Sequence, residues 1–412
     1  MGDDYLDELA AELRGLRASG RCDGFLLYLY GMVQARQLQR EEAIATLLES
    51  IRYYPFNWSA WLELAECMRD RAHASAVYTT RLTPHLLTTH FLVQLSLDFN
   101  LDWETFEQAL KRLLNVFPTS LQLKAQYALA LYNGRAFEQA EATFEEITEQ
   151  DPHSLEHMDT FSNVLYVLQK AERLALLAHH VMRIDPYQVQ SCIVAGNYHS
   201  LKSDHDVAIR AFRRATQLDP QCFQAWTLMG HEFIELKQPH QAVLAYRRGL
   251  AINARDYRAW YGLGQTYEVL RLPFYALFYY QQAAALRPYD TRMWCALGEC
   301  YLLVGKDSDA ITCFKHALRG DDHQGHLALS ALGRLYAKHG RRAQALDAFR
   351  TLLESCPPQH RVGEGYDFAA VYLARALAEQ GHLRQAQELL EPVAGEEGRA
   401  LKREIVRQLN QA

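Results

Sequence analysis

The sequence predicts an all-α protein in which helix hairpins of equal length stack into a right-handed superhelical solenoid. Three observations support this prediction. A pattern of small and large residues repeats every 34 residues, and the apolar residues inside each repeat follow the period of a helix. Prolines stand near the repeat ends, at residues 55, 118, 152, 186, 220, 288 and 357. Because a single hairpin cannot bury both of its faces, the repeats must stack on one another.

Residues 257–290 show the pattern most completely. Trp260, Gly264 and Tyr267 share one helical stripe, and the turn that follows is predicted at Arg271–Pro273. We expect small residues where the two helices cross and large residues in the volume beside them. The residues predicted to pack the repeats are Trp226, Gly230, Trp260, Gly264, Ala276, Tyr280 and Gly298. This spacing is typical of a tetratricopeptide repeat (TPR).

The repeat register divides the chain into five parts. They are an N-terminal helix and lead-in (1–23), a first repeat with an irregular second unit (24–86), seven contiguous 34-residue repeats (87–324), two further repeat-like units (325–398) and a C-terminal capping helix (399–412). The contiguous repeats begin at residues 87, 121, 155, 189, 223, 257 and 291. In the irregular unit, Val77–Thr80 and Pro84 predict a partial helix with an irregular connection.

The composition argues against several classes of function. With 412 residues, a net charge of −6 and a pI near 6.3, the chain has no general attraction for nucleic acid or an anionic membrane. No apolar run approaches the roughly 18 residues that span a bilayer, and the acidic start predicts neither a signal peptide nor myristoylation. The eight cysteines form no CxxC pair and are expected to be reduced, so we expect the protein in the nucleus and cytoplasm.

No motif predicts catalysis, and no cofactor or metal is expected. Gly262–Gly264 has the spacing of part of a phosphate-binding loop, but it lies inside a predicted helix rather than after a strand. His231 and Glu232 begin the zinc-protease pattern HExxH without its second histidine. His179 and His180 are adjacent, so they point to different faces of a helix. We therefore predict that the chain is not an enzyme.

The first helix of each repeat also carries a polar face opposite its packed stripe. Position 9 of five successive repeats reads Asn163, Asn197, His231, Gln265 and Glu299, and we name these five residues the polar row. Asp159, Tyr261 and Glu268 lie around it. Amides pair with an extended peptide backbone, while acidic and tyrosine side chains hold arginine by charge-assisted hydrogen bonds and stacking. The row predicts a concave peptide-binding groove, and the alternative is an ordinary solvated helix face.

Several stretches are more specific than the general repeat pattern. They are Met158–Asn163, Ala225–Glu232, Arg255–Glu268 and Ala296–Tyr301, together with Asp23–Gly31 and Ala60–Leu64. Many of their residues lie outside the consensus positions of a TPR. In these stretches the sequence resembles the family of subunit eight of the anaphase-promoting complex, or cyclosome, which is a TPR scaffold family.

The resemblance implies a non-catalytic scaffold subunit of a multi-subunit ubiquitin ligase that acts in mitosis and cell division. It implies partners of three kinds: other TPR subunits, small accessory subunits, and an activator subunit whose arginine-containing motif binds in the concave groove. By matching positions, the motif site would comprise Asn163, Asn197, His231, Glu232, Gln265 and Glu268. Family members usually form homodimers through further repeats that precede the position of Asp23. Homodimerisation of this chain is therefore a hypothesis.

Two other classes of protein remain as alternatives. A generic TPR adaptor or co-chaperone would also bind extended peptides, but capture of an acidic tail needs several Lys or Arg residues on successive inner helices. The polar row lacks that concentration of positive charge. An enzyme with attached repeats would need a separate catalytic domain, for which the repeats leave no residues. The scaffold interpretation is therefore favoured.

Overall fold

The computed structural model describes residues 2–99, 101–319, 325–355, 363–393 and 395–411, and all regular structure in these ranges is α-helical. The predicted all-α fold class is confirmed. The chain divides into two compact units, of which unit 1 ends at Asp204 and unit 2 begins at His205. Within the described ranges, no helix is both long enough and apolar enough to cross a bilayer.

Unit 1 is built from short helices joined by short connections. They are α1 Gly2–Ala18, α2 Gly24–Arg36, α3 Arg40–Tyr53, α4 Trp58–Cys67, α5 Arg71–Arg81, α6 Leu86–Phe99, α7 Trp103–Val116, α8 Leu121–Asn133, α9 Phe137–Gln150, α10 Met158–Val167, α11 Ala171–Ile184 and α12 Val189–Leu201. Most helices have 10–14 residues, which is about three turns. Such short helices depend on packing against their neighbours for stability.

Unit 2 continues the same construction. Its helices are α13 His205–Leu218, α14 Phe223–Glu235, α15 Pro239–Ile252, α16 Tyr257–Val269, α17 Pro273–Leu286, α18 Thr291–Leu303, α19 Asp307–Ala317, α20 Gly325–Lys338, α21 Arg342–Ser355, α22 Glu364–Glu379, α23 Leu383–Leu390 and α24 Glu396–Gln411. Helix α14 contacts α15 of its own hairpin and α16 of the next, and α15 also contacts α16. Each hairpin therefore covers its neighbour, as stacked repeats require.

The turns inside the hairpins share one backbone conformation. The second residue after the end of the first helix is left-handed in five hairpins, at Arg135, Gln169, Ser203, Lys237 and Arg271, with φ between 57° and 64°. After α16, the N–H of Leu272 donates to the carbonyl of Tyr267 at 2.9 Å, and the N–H of Arg271 donates to that of Glu268 at 2.9 Å. This pair of bonds is the Schellman motif, which satisfies the carbonyls left open at a helix end.

The hairpins cross where glycine meets a large ring. A Cβ atom on Gly230 would lie 2.4 Å from Cε1 of Tyr246, and one on Gly262 would lie 2.5 Å from Cζ of the same ring. The ring of Tyr246, only 1% exposed, therefore sits between the first helices of two successive hairpins. Gly264 and Gly298 face Tyr280 and Phe314 in the same way, and Tyr280 and Ala276 are buried.

The tryptophans predicted to pack the repeats lie at the edge of the hairpins rather than in their cores. Trp226 and Trp260 are only partly buried. The indole N–H of Trp260 donates to the carbonyl of Ala254 at 2.8 Å, and that of Trp294 donates to the carbonyl of Pro288 at 2.7 Å. Because the indole N–H needs an acceptor, the ring stays beside the preceding loop and keeps one face open. Trp61 makes the same bond, to Pro55, and is 1% exposed.

Three predicted boundaries change in the structure. Helix α5 is continuous through Val77–Thr80, where the hydroxyls of Thr79 and Thr80 donate to carbonyls of the preceding turn, and the irregular connection follows it. Helix α10 begins at Met158 rather than at 155, because His157 adopts a left-handed backbone. Helix α24 starts at Glu396 and buries Ile405 against the preceding hairpin.

We expect Gly230→Ala to destabilise unit 2 by about 1–3 kcal/mol, because the added Cβ overlaps the ring of Tyr246, which has no room to move. Thermal melting followed by circular dichroism measures the loss. The matched control is Gly15→Ala in α1, where a Cβ meets no atom within 4 Å and the change should stabilise the helix by up to about 1 kcal/mol. Equal melting temperatures for the two variants would contradict the crossing geometry.

Candidate functional site

The polar row is divided between the two units. Asn163 and Asn197 lie in unit 1, and His231, Gln265 and Glu299 lie in unit 2. Each residue stands on the first helix of its hairpin. The five side chains differ widely in exposure and in their partners, and they fall into three groups.

The two asparagines of unit 1 bond to each other. The side-chain amide of Asn197 donates to Oγ of Ser162 at 2.7 Å and to Oδ1 of Asn163 at 2.8 Å. Asn197 is 3% exposed and Asp159 is 8% exposed, while Asn163 is partly buried. The hydroxyl of Ser162 donates to the carbonyl of Asp159 at 2.6 Å. These side chains therefore join α10 to α12, and Asn163 is the more open of the two amides.

His231 and Glu232 are held by residues of the second helices. Nδ1 of His231 lies 2.7 Å from the hydroxyl of Tyr246, the ring at the hairpin crossing. Burial lowers the pKa of His231 to about 4, so its ring is neutral at pH 7 and shares a hydrogen bond with the hydroxyl of Tyr246. Oε2 of Glu232 lies 2.8 Å from Nδ1 of His205, and Glu232 is 4% exposed. Neither residue is as open to a peptide as the sequence pattern predicts.

The open members of the row lie further along unit 2. Gln265 and Glu299 are exposed, and Tyr261 and Glu268 are partly buried. The hydroxyl of Tyr280 donates to Oε2 of Glu268 at 2.8 Å, and the rings of Tyr280 and Tyr261 lie 5.5 Å apart. Tyr280, which is predicted to pack the repeat, therefore also orients the carboxylate of Glu268.

Glu268 and Glu299, which we name the acidic pair, repel each other. The pKa of Glu299 is raised, first because neighbouring groups shield part of its carboxyl group from water and then because of the negative charge of Glu268. Within the described ranges, neither carboxylate belongs to an ion pair. The nearby cation Arg292 is bound by Asp290, with an Nη2 to Oδ2 distance of 2.8 Å. The acidic pair therefore remains uncompensated, and a bound cation would relieve the repulsion.

A cavity of about 530 Å³ adjoins the acidic pair. Glu299, Leu302, Leu327, Ala331 and Arg334 are among its lining residues. Arg334 extends the polar row into the next repeat, because Gly333 meets Phe349 in the way that Gly298 meets Phe314. The sequence pattern does not assign Arg334 to the polar row, because one residue is inserted before this repeat. The separation of Gly333 and Phe349, which equals that of Gly298 and Phe314, is the signal that could have revealed it. No cluster of three metal-ligating side chains lies in the described ranges.

Three segments match known repeat families. Residues 189–222 and 223–256 match one family model of the tetratricopeptide repeat, and residues 327–358 match another. The crystal structure of the anaphase-promoting complex hetero-tetramer Cut9-Hcn1 contains a chain with the same fold. The TM-score is 0.62 and the identity is 19%, over 93% of this chain and 76% of that chain. The protein is therefore a tetratricopeptide-repeat solenoid.

Other similarities are more specific than the repeat itself. Residues 3–128 match the family model of anaphase promoting complex subunit 8 / Cdc23. The chain is 38% identical to anaphase-promoting complex subunit 8 of Arabidopsis thaliana over 222 residues, or 54% of this chain and 38% of the relative. It is 34% identical to subunit CDC23 of Saccharomyces cerevisiae over 219 residues, or 49% of this chain and 35% of the relative.

A human protein extends this set of relatives. The chain is 36% identical to the human cell division cycle protein 23 homolog over 186 residues, or 44% of this chain and 30% of the relative. Over these segments the chain is similar to the anaphase-promoting complex subunit 8 family. The matched segments span about a third of the length of these three relatives.

We expect the packing of unit 2 to weaken as the pH falls from 6.5 to about 4. The pKa of His231 is lowered from 6.5 to about 4 in the folded chain, so the unfolded chain takes up the proton first. The contribution of neutral His231 to the free energy of unfolding is complete above pH 6.5 and is lost as the pH falls from 6.5 to about 4. Melting temperatures across the range measure it, with His231→Gln as the comparison because glutamine does not titrate. A wild-type pH profile parallel to that of the variant would contradict the assignment.

Proposed function

We propose that the chain is a non-catalytic scaffold subunit of an anaphase-promoting-complex type of ubiquitin ligase. The similarity of residues 3–128 to the subunit 8 family and of 54% of the chain to a plant subunit 8 supports this function, and the fold shared with the Cut9-Hcn1 crystal structure is compatible with it. The proposed partners are other TPR subunits and small accessory subunits, in the nucleus and cytoplasm. Homodimerisation remains part of the proposal.

The assembly proposal is tested by capture of the tagged full-length chain from its own cells, followed by mass spectrometry. We expect the other subunits of the ligase to co-purify, because stacked hairpins offer long surfaces to several partners at once. Light scattering at several concentrations tests the homodimer separately. Recovery of chaperones without ligase subunits would favour the co-chaperone alternative.

We also propose that the inner face of unit 2 binds an arginine-containing segment of the activator. The acidic pair is the observation that carries this proposal, because two carboxylates share one stretch without a cation of their own. A guanidinium group placed between Glu268 and Glu299 could bond to both of them. Tyr261 offers a ring for stacking, and the exposed amide of Gln265 could pair with the peptide backbone.

The adjoining cavity indicates which type of residue neighbours the arginine in the ligand. Leu302, Leu327 and Ala331 give the cavity apolar walls, and Arg334 places a positive charge at its edge. An apolar side chain next to the arginine could fill this space, and a carboxylate beyond it could meet Arg334. The proposed ligand is therefore an extended segment in which an arginine neighbours an apolar residue.

We expect a short peptide with one arginine beside an apolar residue to bind, and Glu268→Gln with Glu299→Gln to weaken its binding. Each lost charge-assisted hydrogen bond costs about 1.5–3 kcal/mol, which corresponds to a roughly tenfold or greater rise in Kd. Fluorescence anisotropy of the labelled peptide measures the change. A second peptide carries citrulline, the uncharged analogue of arginine, in place of the arginine. Its Kd for the wild-type chain should equal the Kd of the arginine peptide for the double variant.

The matched control for the acidic pair is Glu354→Gln, which removes one exposed carboxylate from α21, a second helix of the same unit. Its Kd should stay at the wild-type value, and binding should weaken as salt is added. An equal loss in the control would mean that only the net charge matters. Unchanged binding in the Glu268 and Glu299 double variant would place the ligand elsewhere.

A further inference from the structure

The second helices at the start of unit 2 are positively charged, although the whole chain has a net charge of −6. Helices α13 and α15 contain one carboxylate, that of Asp206, and five arginines, which are Arg210, Arg213, Arg214, Arg247 and Arg248. Helix α17, the next second helix, contains no charged residue. The second helix α9 of unit 1 shows the opposite pattern, with five glutamates and no basic residue. The positive charge is therefore local to one part of unit 2, where it can attract an anionic partner.

Two of these arginines line a cavity of about 380 Å³. Arg213 comes from α13 and Arg248 from α15, and both side chains are exposed. Among the residues that the structure describes, neither of them belongs to an ion pair. The neighbouring Arg247 differs, because its Nη2 donates to the hydroxyl of Tyr267 at 2.9 Å. Arg213 and Arg248 can therefore both bind an anion from outside the chain.

The interior of the cavity is apolar. Helix α14 contributes Trp226, Met229 and Phe233, which are spaced three and four residues apart and so share one helix face. Helix α15 adds Leu244 and Ala245. Met229 and Phe233 are buried, whereas Leu244 is 66% exposed, so the apolar surface continues from the base of the cavity to the outside. An apolar recess with an arginine on each of two neighbouring helices is therefore open to a ligand.

This lining indicates the chemistry of the ligand. A guanidinium group binds a carboxylate through two parallel N–H···O bonds. An apolar recess accepts an aliphatic or aromatic side chain and keeps water away from the neighbouring ion pairs. A nucleic acid fits less well, because its phosphates follow one another along the whole strand, whereas the space between Arg213 and Arg248 is apolar. A peptide with a large apolar residue between acidic residues fits both features.

We propose that this cavity is a docking site for an acidic segment of a partner protein. One large apolar side chain of the segment enters the cavity, and carboxylates on either side of it pair with Arg213 and Arg248. None of the residues that line the cavity belongs to the polar row or to the acidic pair. The site is therefore separate from the proposed arginine-binding site and does not depend on it.

The test uses the folded full-length chain and a short labelled peptide in which one leucine stands between glutamates, with fluorescence anisotropy as the measurement. We expect saturable binding that weakens as salt is added. Arg213→Gln combined with Arg248→Gln should raise the Kd about tenfold or more, because the peptide carboxylates lose charge-assisted hydrogen bonds. A peptide with serine in place of the leucine should also bind about tenfold more weakly, because the apolar contact is lost.

The matched control is Arg350→Gln combined with Arg384→Gln, which removes two exposed arginines from α21 and α23 of the same unit. Neither residue lines the cavity, so the Kd of the leucine peptide should stay at the wild-type value although the net charge changes equally. Melting curves of both double variants establish that they are folded before their Kd values are compared.

Four results would overturn the proposal. The first is the absence of saturable binding of the leucine peptide to the wild-type chain. The second is an equal loss of binding in the control variant, because only net charge would then matter. The third is equal binding of the serine and leucine peptides, which would leave the apolar cavity without a role. The fourth is a single-stranded oligonucleotide that binds more tightly than the peptide and is weakened by the Arg213 and Arg248 double variant, because the site would then be one for nucleic acid.

Discussion

The contact between a glycine and a large ring at the hairpin crossing is the constraint on which the rest of the structure depends. Tyr246 occupies the space left by Gly230 and Gly262, so one ring holds two first helices at a fixed separation. Close packing at this point leaves little freedom to the side chains on the opposite face. The hydroxyl of Tyr246 also reaches His231, which joins the crossing directly to the polar row.

This connection explains why the polar row is not uniform. Where a row side chain finds a partner on a neighbouring helix, as Asn197 finds Ser162 and Asn163, it contributes to stacking. Where the described part of the chain provides no hydrogen-bond partner, as at Glu299, the side chain stays exposed. A buried polar group must be bonded, whereas an exposed one need not be. The division between structural and binding residues therefore follows from packing.

Much of the fold could be predicted from the sequence, because glycine and proline spacing reports directly on helix crossings and turns. First helices begin at Val189, Phe223, Tyr257 and Thr291, where the register places them. Periodicity assigns a side chain to a helix face but not to a partner, so the burial of Glu232 against His205 could not be predicted. The acidic pair needed coordinates as well, since its repulsion depends on how close two successive repeats lie.

The left-handed turn residues have a consequence for sequence tolerance. Arg271, Lys237 and Gln169 hold a backbone conformation that costs a side-chain-bearing residue energy, yet hydrogen bonds from the hairpin keep them there. Many types of amino acid can therefore occupy these sites. β-Branched residues should be strongly disfavoured, because their side chains fit a left-handed backbone poorly. Natural variation among such repeats can accumulate at the turns while the crossings stay small, which lets surface charge diverge between otherwise similar scaffolds.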